Sequence, residues 1–352
     1  MVSRPLQNVE ARPRRRVTIN DLAGHLGLTK STVSRALNDY PDISPATRAR
    51  VKRQAEVMGY RPLSQAQAIR TGRTRSIGLV VQSDLHDGYR PFLSEFFAGM
   101  AEEAGSQNWT LAVANADVED EVGDVYRRLV DERKVDGFVL PRTRTRDPRV
   151  TLLRSLDVPF VLFGRTADDA GCAWYDVLGE DAMSEAVERL FALGHRRIAH
   201  IAGQDGYYYS EIRLKGYRDG LAKVGLPFDA ALVVRNCADH ENGLQAGRKL
   251  LGLSDAPTAV VAAVDIGALG LYQAAAERDL RVGKDISVIS YDGTTIGAYA
   301  NPPLSTYEVD NRLAGARLAS LLIRRIRGEA PENLRELGPA RFVERSSAAA
   351  LN

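Results

Sequence analysis

From residue 76 to residue 292, short apolar runs of strand type alternate with amphipathic stretches of helix length. That alternation constrains the fold more than any other feature of the chain. The runs include SIGLVV (76–81), TLAVANA (110–116), VDGFVL (135–140), RIAHIAG, AVVAAV and ISVISYD. Between them lie stretches such as PFLSEFFAGMAEEAGSQ (91–107), SEAVERLFALG and ALGLYQAAAERDL. Strands that are apolar almost throughout, each followed by a helix, imply a parallel sheet covered on both faces. About ten such strands are too many for one open sheet with one switch point, so two doubly wound lobes are expected. A ligand cleft should lie between them, at the carboxyl ends of the strands. The tail helix NRLAGARLASLLIRRIRG (311–328) should pack on one lobe.

The first 75 residues have another character. Residues 17–38 read VTINDLAGHLGLTKSTVSRALN. Thr18 can cap a helix, with Asp21 as its reciprocal partner in a capping box. Ile19, Leu22, Ala23 and Leu26 recur at helical spacing until Gly27 breaks the pattern. Thr29 can cap a second helix whose apolar residues are Val33, Ala36 and Leu37. Two short helices on a tight glycine turn form a helix-turn-helix. Lys30, Ser31, Ser34 and Arg35 are left facing outward, where they can meet base edges or phosphates in a major groove. Ser44 and Pro45 open a third helix. Its Ala46, Ala49, Val51, Ala55 and Met58 are expected to pack back on the first two. Residues 63–72 spell a helix too short to be stable alone, which would need DNA or a partner to order it; a plain linker is the other reading. Residues 1–16 read as a disordered basic arm able to touch phosphate.

Charge follows the same division. Residues 1–75 hold 15 Lys and Arg against 5 Asp and Glu, whereas the rest of the chain holds 32 against 40. A basic head on an acidic body points to a polyanion partner for the head alone. Cys172 and Cys237, the only cysteines, stand in no metal or redox spacing and suit a reducing compartment. The first sixteen residues lack the apolar core of a signal peptide, and no run is long enough to span a membrane, so a cytoplasmic protein is expected. There is no GxGxxG after the first strand and no GxxxxGK[ST], GxSxG or HExxH. An enzyme of this shape would need a polar catalytic pair, and none can be named. A transport receptor would share the two lobes but would need a signal peptide and no basic head. A DNA-binding regulator accounts for both halves.

The chain resembles the LacI (lactose repressor) family of bacterial transcription regulators from residue 17 to about residue 345. The resemblance is carried by the helix-turn-helix stretch, ISPATRARVKRQAEVMGYRP, IRTGRTRSIGLVV, LGHRRIAHIAG, RLKGYRDGL, PTAVVAAVDIGALGLYQAA, DISVISYDG and NPPLSTYEVDNRLAG, in that order. It implies an all-α head of three helices plus a hinge helix, followed by two α/β lobes like those of type I periplasmic sugar-binding proteins. The expected division is a basic arm (1–16), a DNA-binding domain (17–62), a hinge helix and linker (63–75), an effector-binding and dimerisation domain (76–345) and a tail (346–352). Lobe 1 would take about 76–174 and 305–337, and lobe 2 about 175–304 and 338–345.

The family's roles carry over position by position. Lys30 and Ser31 match the first two base-contacting positions of the reading helix, and Arg35 the third. Thr32 and Ser34 sit where phosphate contacts are usual, and Asn38 matches a backbone-contacting asparagine. Thr18 and Thr29, at the helix starts, complete the DNA-facing set. Ala66 and Ile69 match hinge positions that face the minor groove. The family usually places a leucine wedge there, and an apolar isoleucine can still part a base step.

For the effector, Arg213 matches an arginine commonly used on bound ligand, and Asp292 ends a strand where its carboxylate can accept from adjacent hydroxyls. Asp265 matches a near-standard aspartate, read mainly as a cap on the following helix and only secondarily as a ligand contact. Val264 and Gly164 depart from the family's usual polar residues. Arg165 either reaches the cleft or binds the protein's own backbone. Trp174 can stack on a sugar ring or belong to the core. Tyr209 is taken from the run of three tyrosines before Arg213, and Tyr89 and Phe92 are expected on the opposite wall. Aromatic, arginine and aspartate together fit a carbohydrate better than a purine or a free phosphate. No cofactor or metal is implied. The resemblance further implies a homodimer on a palindromic operator, switched by a small molecule, most often as a repressor released by its sugar.

Overall fold

The computed structural model describes residues 16–61, 72–82, 90–116 and 122–351, the side chains of residues 90–92 excepted. The chain forms two compact units that divide after Thr74.

The head unit consists of α1 (Ile19–Leu26), α2 (Lys30–Leu37) and α3 (Pro45–Val57). Thr18 caps α1 and Asp21 closes the expected capping box, while Gly27 ends the helix in a left-handed conformation. Thr29 caps α2 and Ser44 caps α3, with Pro45 at the first position. Leu22, Ala23, Leu26, Val33, Ala36, Val51 and Ala55 form the core. Ala46 and Ala49, expected in that core, are exposed. The helical period turns them away from the face that carries Val51 and Ala55.

The second unit begins with β1 (Ser76–Gln82), α4 (Arg90–Ser106), β2 (Thr110–Ala116), α5 (Val122–Asp131), β3 (Gly137–Leu140), α6 (Pro148–Ser155), β4 (Phe160–Phe163) and β5 (Ala173–Val177). A second winding follows: α7 (Gly179–Ala192), β6 (Ile198–Ile201), α8 (Tyr208–Lys223), β7 (Val233–Val234), α9 (His240–Leu251), β8 (Ala259–Ala262), α10 (Asp265–Ala276), β9 (Ser287–Asp292), α11 (Thr295–Ala298) and β10 (Ser305–Glu308). The chain closes with α12 (Asn311–Ile326), β11 (Arg335–Gly338) and β12 (Arg341–Val343).

Among the described residues there are two six-stranded sheets, ordered β11-β5-β4-β3-β1-β2 in lobe 1 and β12-β10-β9-β8-β6-β7 in lobe 2. Every pairing is parallel except β10 with β12. The chain therefore passes between lobes after β5, after β10 and after β11. Two of these crossings differ from the sequence reading. Ala173–Val177 lies wholly in lobe 1, paired with β4 and β11. Ser305–Glu308, expected to open the return to lobe 1, instead pairs with β9 in lobe 2. Its main-chain groups complete that sheet before the chain can leave it. In each lobe the strand order reverses once, between β1 and β3 and between β6 and β8. Ligands in doubly wound folds sit at such switch points, beyond the carboxyl ends of the strands.

Residues 346–351, read from sequence as a tail, are built into lobe 2. Ser347 is fully buried. Its hydroxyl donates to the Val288 carbonyl at 2.6 Å and accepts from the Ser305 amide at 2.7 Å. His195 lies beside it, its ring nitrogens meeting Thr258 Oγ1, Ser287 Oγ and the Ala349 carbonyl. Polar groups without other partners in the interior account for this anchoring.

Candidate functional site

In the head unit, Lys30, Ser31 and Arg35 are exposed on α2. Arg35 makes a surface ion pair with Asp42 at 2.6 Å and lies 5.1 Å from the centre of the Tyr40 ring. Both charges of that pair are about half exposed (45% and 49%), so separating them costs little. Thr29 and Thr32 share a hydroxyl contact of 2.8 Å at the start of the helix. Asn38 donates from Nδ2 to the Ser34 carbonyl at 2.6 Å, closing its end. Thr18 is occupied by its capping box. Ala66, Ile69 and the basic arm up to residue 15 lie outside the described residues.

In the second unit a cleft of about 770 Å³ opens between the lobes, at the carboxyl ends of both sheets. Arg213, on α8, is its most constrained polar group. Its guanidinium lies 3.8 Å from the centre of the Tyr291 ring and 4.9 Å from that of Tyr209. Nη1 donates to the Ala263 carbonyl at 2.6 Å and faces Asp292 Oδ1 at 3.6 Å, while Nε is buried without a partner. Asp292 ends β9 at φ 124°, in the left-handed region that favours glycine. Desolvation pushes its carboxyl up to about 7 against the pull of Arg213. The third of its side chain that stays open lies in the cleft wall.

Of the two placements the sequence left open for Arg165, the structure has its side chain in the cleft wall rather than on backbone. Side-chain carboxylates hold it there, with Nε 2.5 Å from Asp176 and Nη2 2.7 Å from Glu180. Burial opposes its charge, but the two carboxylates hold it above the ordinary arginine range. Tyr209 also lines the cleft, its hydroxyl accepting from the Gln204 amide at 3.1 Å.

Two expected residues do not line it. Trp174 is in the middle of β5, packed on the lobe 1 core that includes Phe138 and Leu162, with Arg165 and Arg335 each 6.0 Å from its ring. Strand alternation sends it to one face and Tyr175 to the other. Asp265 is fully buried, and it does not cap α10 either. Its carboxylate accepts from the Thr294 amide (2.7 Å), Thr294 Oγ1 (2.8 Å) and Thr306 Oγ1 (2.7 Å), tying the end of β9 to β10. Tyr89 lies outside the described residues, as does the side chain of Phe92.

The sequence reading missed Phe163, Tyr175, Asp176 and Tyr291, which line the cleft, and Glu180, which pairs with Arg165. Phe163, Asp176 and Tyr291 are the last or next-to-last residues of their strands, a positional signal that was available. A further pattern emerges from the helix starts. The N-caps of α7, α8 and α10, which begin at the cleft, are Leu178, Tyr207 and Val264, and none forms a side-chain cap. α12, which also begins at the cleft, is capped by Asp310, as α6 and α9 are by Asp147 and Asp239. Among the described residues no cluster suits a metal ion, and no helix is long and apolar enough to cross a membrane.

Residues 18–63 match the family of bacterial regulatory proteins named for lacI, and residues 187–348 match the periplasmic binding protein-like domain. The HTH-type transcriptional regulator AglR of Rhizobium meliloti is 37% identical over 345 residues, covering 94% of each chain. The regulator CelR of Thermobifida fusca is 32% identical over 343 residues, covering 95% of this chain and 99% of the relative. Among solved structures, a CelR–cellobiose complex superposes with a TM-score of 0.73 at 29% identity, covering 95% of this chain and 100% of that one. The Lac repressor dimer bound to operator and an anti-inducer gives 0.78 at 26% identity, covering 96% and 100%.

Proposed function

The chain belongs to the LacI family of bacterial transcriptional regulators, and from that premise we propose that a neutral sugar bound in the interlobe cleft controls its hold on operator DNA. The observation that carries this reading is the pairing of charge along the cleft. Arg165 pairs with Asp176, Arg213 with Asp292, Arg312 with Glu95, and Arg341 with Glu308. An anionic ligand would have to displace one of these carboxylates and leave it uncompensated. Neutral hydroxyls can bond to the outer edges of the same groups without separating them. Tyr208 and Tyr209, half-buried in the cleft wall, supply apolar surface that a sugar ring covers. A volume of about 770 Å³ leaves room for more than one ring. CelR, whose solved complex contains cellobiose, supports a sugar of that size.

On the DNA side, Lys30, Ser31 and Arg35 read base edges, while Thr18, Thr29, Thr32, Ser34 and Asn38 position the helix on phosphates. Ala66 and Ile69 belong to the segment that enters the minor groove. The protein acts in the cytoplasm as a homodimeric repressor on a two-fold symmetric operator, which the Lac repressor dimer–operator structure supports. The sugar shifts operator affinity only through its different affinities for the DNA-binding and released forms.

The test is a thermal-shift panel of glucose, galactose, maltose and cellobiose against glucuronate and glucose 6-phosphate. A ligand of the native state raises the melting temperature. At least one neutral sugar should do so and the two anions should not. Stabilisation by the anions alone would overturn the reading.

A further inference from the structure

The lobes touch directly away from the three crossings. Residues 142–145 lie between β3 and α6 in lobe 1, and residues 204–208 run from the loop after β6 into the first residue of α8 in lobe 2. The two segments run antiparallel through a bridge between Arg144 and Tyr207. The Thr145 amide donates to the Gly206 carbonyl at 2.8 Å, and the Tyr208 amide donates to the Thr143 carbonyl at 3.0 Å. Arg142 donates from Nη2 to Gln204 Oε1 at 2.7 Å and lies 4.5 Å from the centre of the buried Tyr207 ring. Arg142 also holds φ 50°, a left-handed backbone that a residue with a side chain keeps only where its surroundings enforce it.

Gln204 joins this contact to the cleft. Its side chain accepts from Arg142, and its amide donates to Tyr209 Oη, whose ring faces the Arg213 guanidinium. Gly203 leaves the space for that ring, since a Cβ there would lie 2.5 Å from Tyr209.

We infer that residues 142–145 and 204–208 form an interlobe latch, and that Gln204 is the positioning residue that couples it to Tyr209 and Arg213. Opening the cleft must break the two main-chain hydrogen bonds and the Arg142–Gln204 hydrogen bond and uncover Tyr207. Tyr209 and Arg213 both stand on α8 and move together with lobe 2. A ligand that bridges Arg213 and the lobe 1 wall at Arg165 and Asp176 in the closed form tightens the latch, and the latch tightens that binding by the same factor. The functional consequence rests on the effector reading of the cleft, whereas the latch itself needs no ligand.

Amide hydrogen exchange on the full chain without ligand tests this. In Gln204→Ala and Arg142→Ala, exchange at Thr145 and Tyr208 should quicken at least tenfold while β1 and β2 stay unchanged. Unchanged exchange at Thr145 and Tyr208 would overturn the latch. A second variant guards against loss of folding. Arg144 and Tyr207 form a non-hydrogen-bonded antiparallel pair, a spacing a disulfide can span. In R144C/Y207C, oxidation should slow exchange at Thr145 at least tenfold and reduction should reverse it; failure of the bond to form would contradict the apposition. Arg213→Ala touches no residue of the amide bridge, yet it should quicken exchange at Thr145 across the cleft at least threefold. No change there would remove the coupling. None of these measurements uses a sugar, so their failure is separable from failure of the effector reading.

Discussion

The Arg213 guanidinium lies over the Tyr291 ring, its carbon 3.8 Å from the ring centre. The stack and the Ala263 carbonyl fix the plane of the guanidinium, and Asp292 balances its charge. Removing Arg213 leaves Asp292 facing the cleft alone. Arg213→Ala is therefore expected to weaken sugar binding by about 1.5–3 kcal/mol, the usual worth of a hydrogen bond to a charged group. Operator affinity without sugar should be unchanged. Arg213→Lys keeps the charge but loses the planar stack, and should recover only part of the binding. Calorimetry with the sugar and fluorescence anisotropy with the operator separate the two effects.

The position of Asp292 predicts a pH dependence. Its folded carboxyl is pushed up to about 7, above the unfolded value, mainly by desolvation. Between the unfolded value and about 7 the folded chain holds a proton that the unfolded chain lacks. This group's contribution to stability is therefore greatest on the acid side and is lost as pH rises through about 7. Sugar binding runs the other way, because only the ionised form accepts freely from hydroxyls. Affinity should rise from pH 6 to pH 8, by at most about tenfold per unit. In Asp292→Asn the profile should be flat over that range.

The pairing of Arg35 with Asp42 predicts separable effects on DNA. Arg35→Ala should weaken operator binding by about 1–3 kcal/mol and relax base preference at one position. Asp42→Asn removes a surface partner of Arg35, whose loss changes stability by no more than about 1 kcal/mol. It should leave base preference intact and raise operator affinity slightly, because Arg35 no longer leaves a carboxylate to reach DNA. Binding measured on a set of single-base operator variants distinguishes a reader from a general phosphate contact.

The C-terminal residues predict a stability effect in lobe 2. Ser347→Ala leaves the buried Ser305 amide and Val288 carbonyl short of a partner, at an expected cost of about 1–3 kcal/mol. Chemical denaturation of the second unit measures it. His195 and His200 add a pH term of the opposite sign to that of Asp292. Burial holds both below the ordinary histidine value, His200 at about 4. The unfolded chain then binds protons that the folded chain refuses, so their contribution falls as pH drops below the usual histidine range.

Much of this architecture is legible in the sequence because its signals are local. Thr18 with Asp21, Gly27, Thr29 and Ser44-Pro45 mark helix ends by cap chemistry that the structure reproduces. Near-continuous apolar strands alternating with helices announce two parallel sheets. What the sequence hid depends on pairing between distant segments. Nothing in STYE says that Ser305–Glu308 pairs with β9 before the chain crosses. The sequence places Asp265 beside a helix start, but its partners Thr294 and Thr306 come from two other segments, and they turn an expected cap into a buried tie. Trp174 and Asp176 are two residues apart, yet the strand end carries only the second into the cleft. The Arg165–Glu180 contact joins the loop after β4 to the first turn of α7, a proximity created only by the crossing between them.

The central claim is that occupancy at Arg213 controls the head unit's hold on DNA. The most direct measurement is the anisotropy of a labelled operator, selected from random two-fold symmetric DNA. It is titrated with the full chain in the presence and absence of the neutral sugar that raises its melting temperature. We expect that sugar to change operator affinity at least tenfold in the wild-type chain and not at all in Arg213→Ala. Equal affinities with and without sugar in the wild-type chain, or the same shift in Arg213→Ala, would contradict the account.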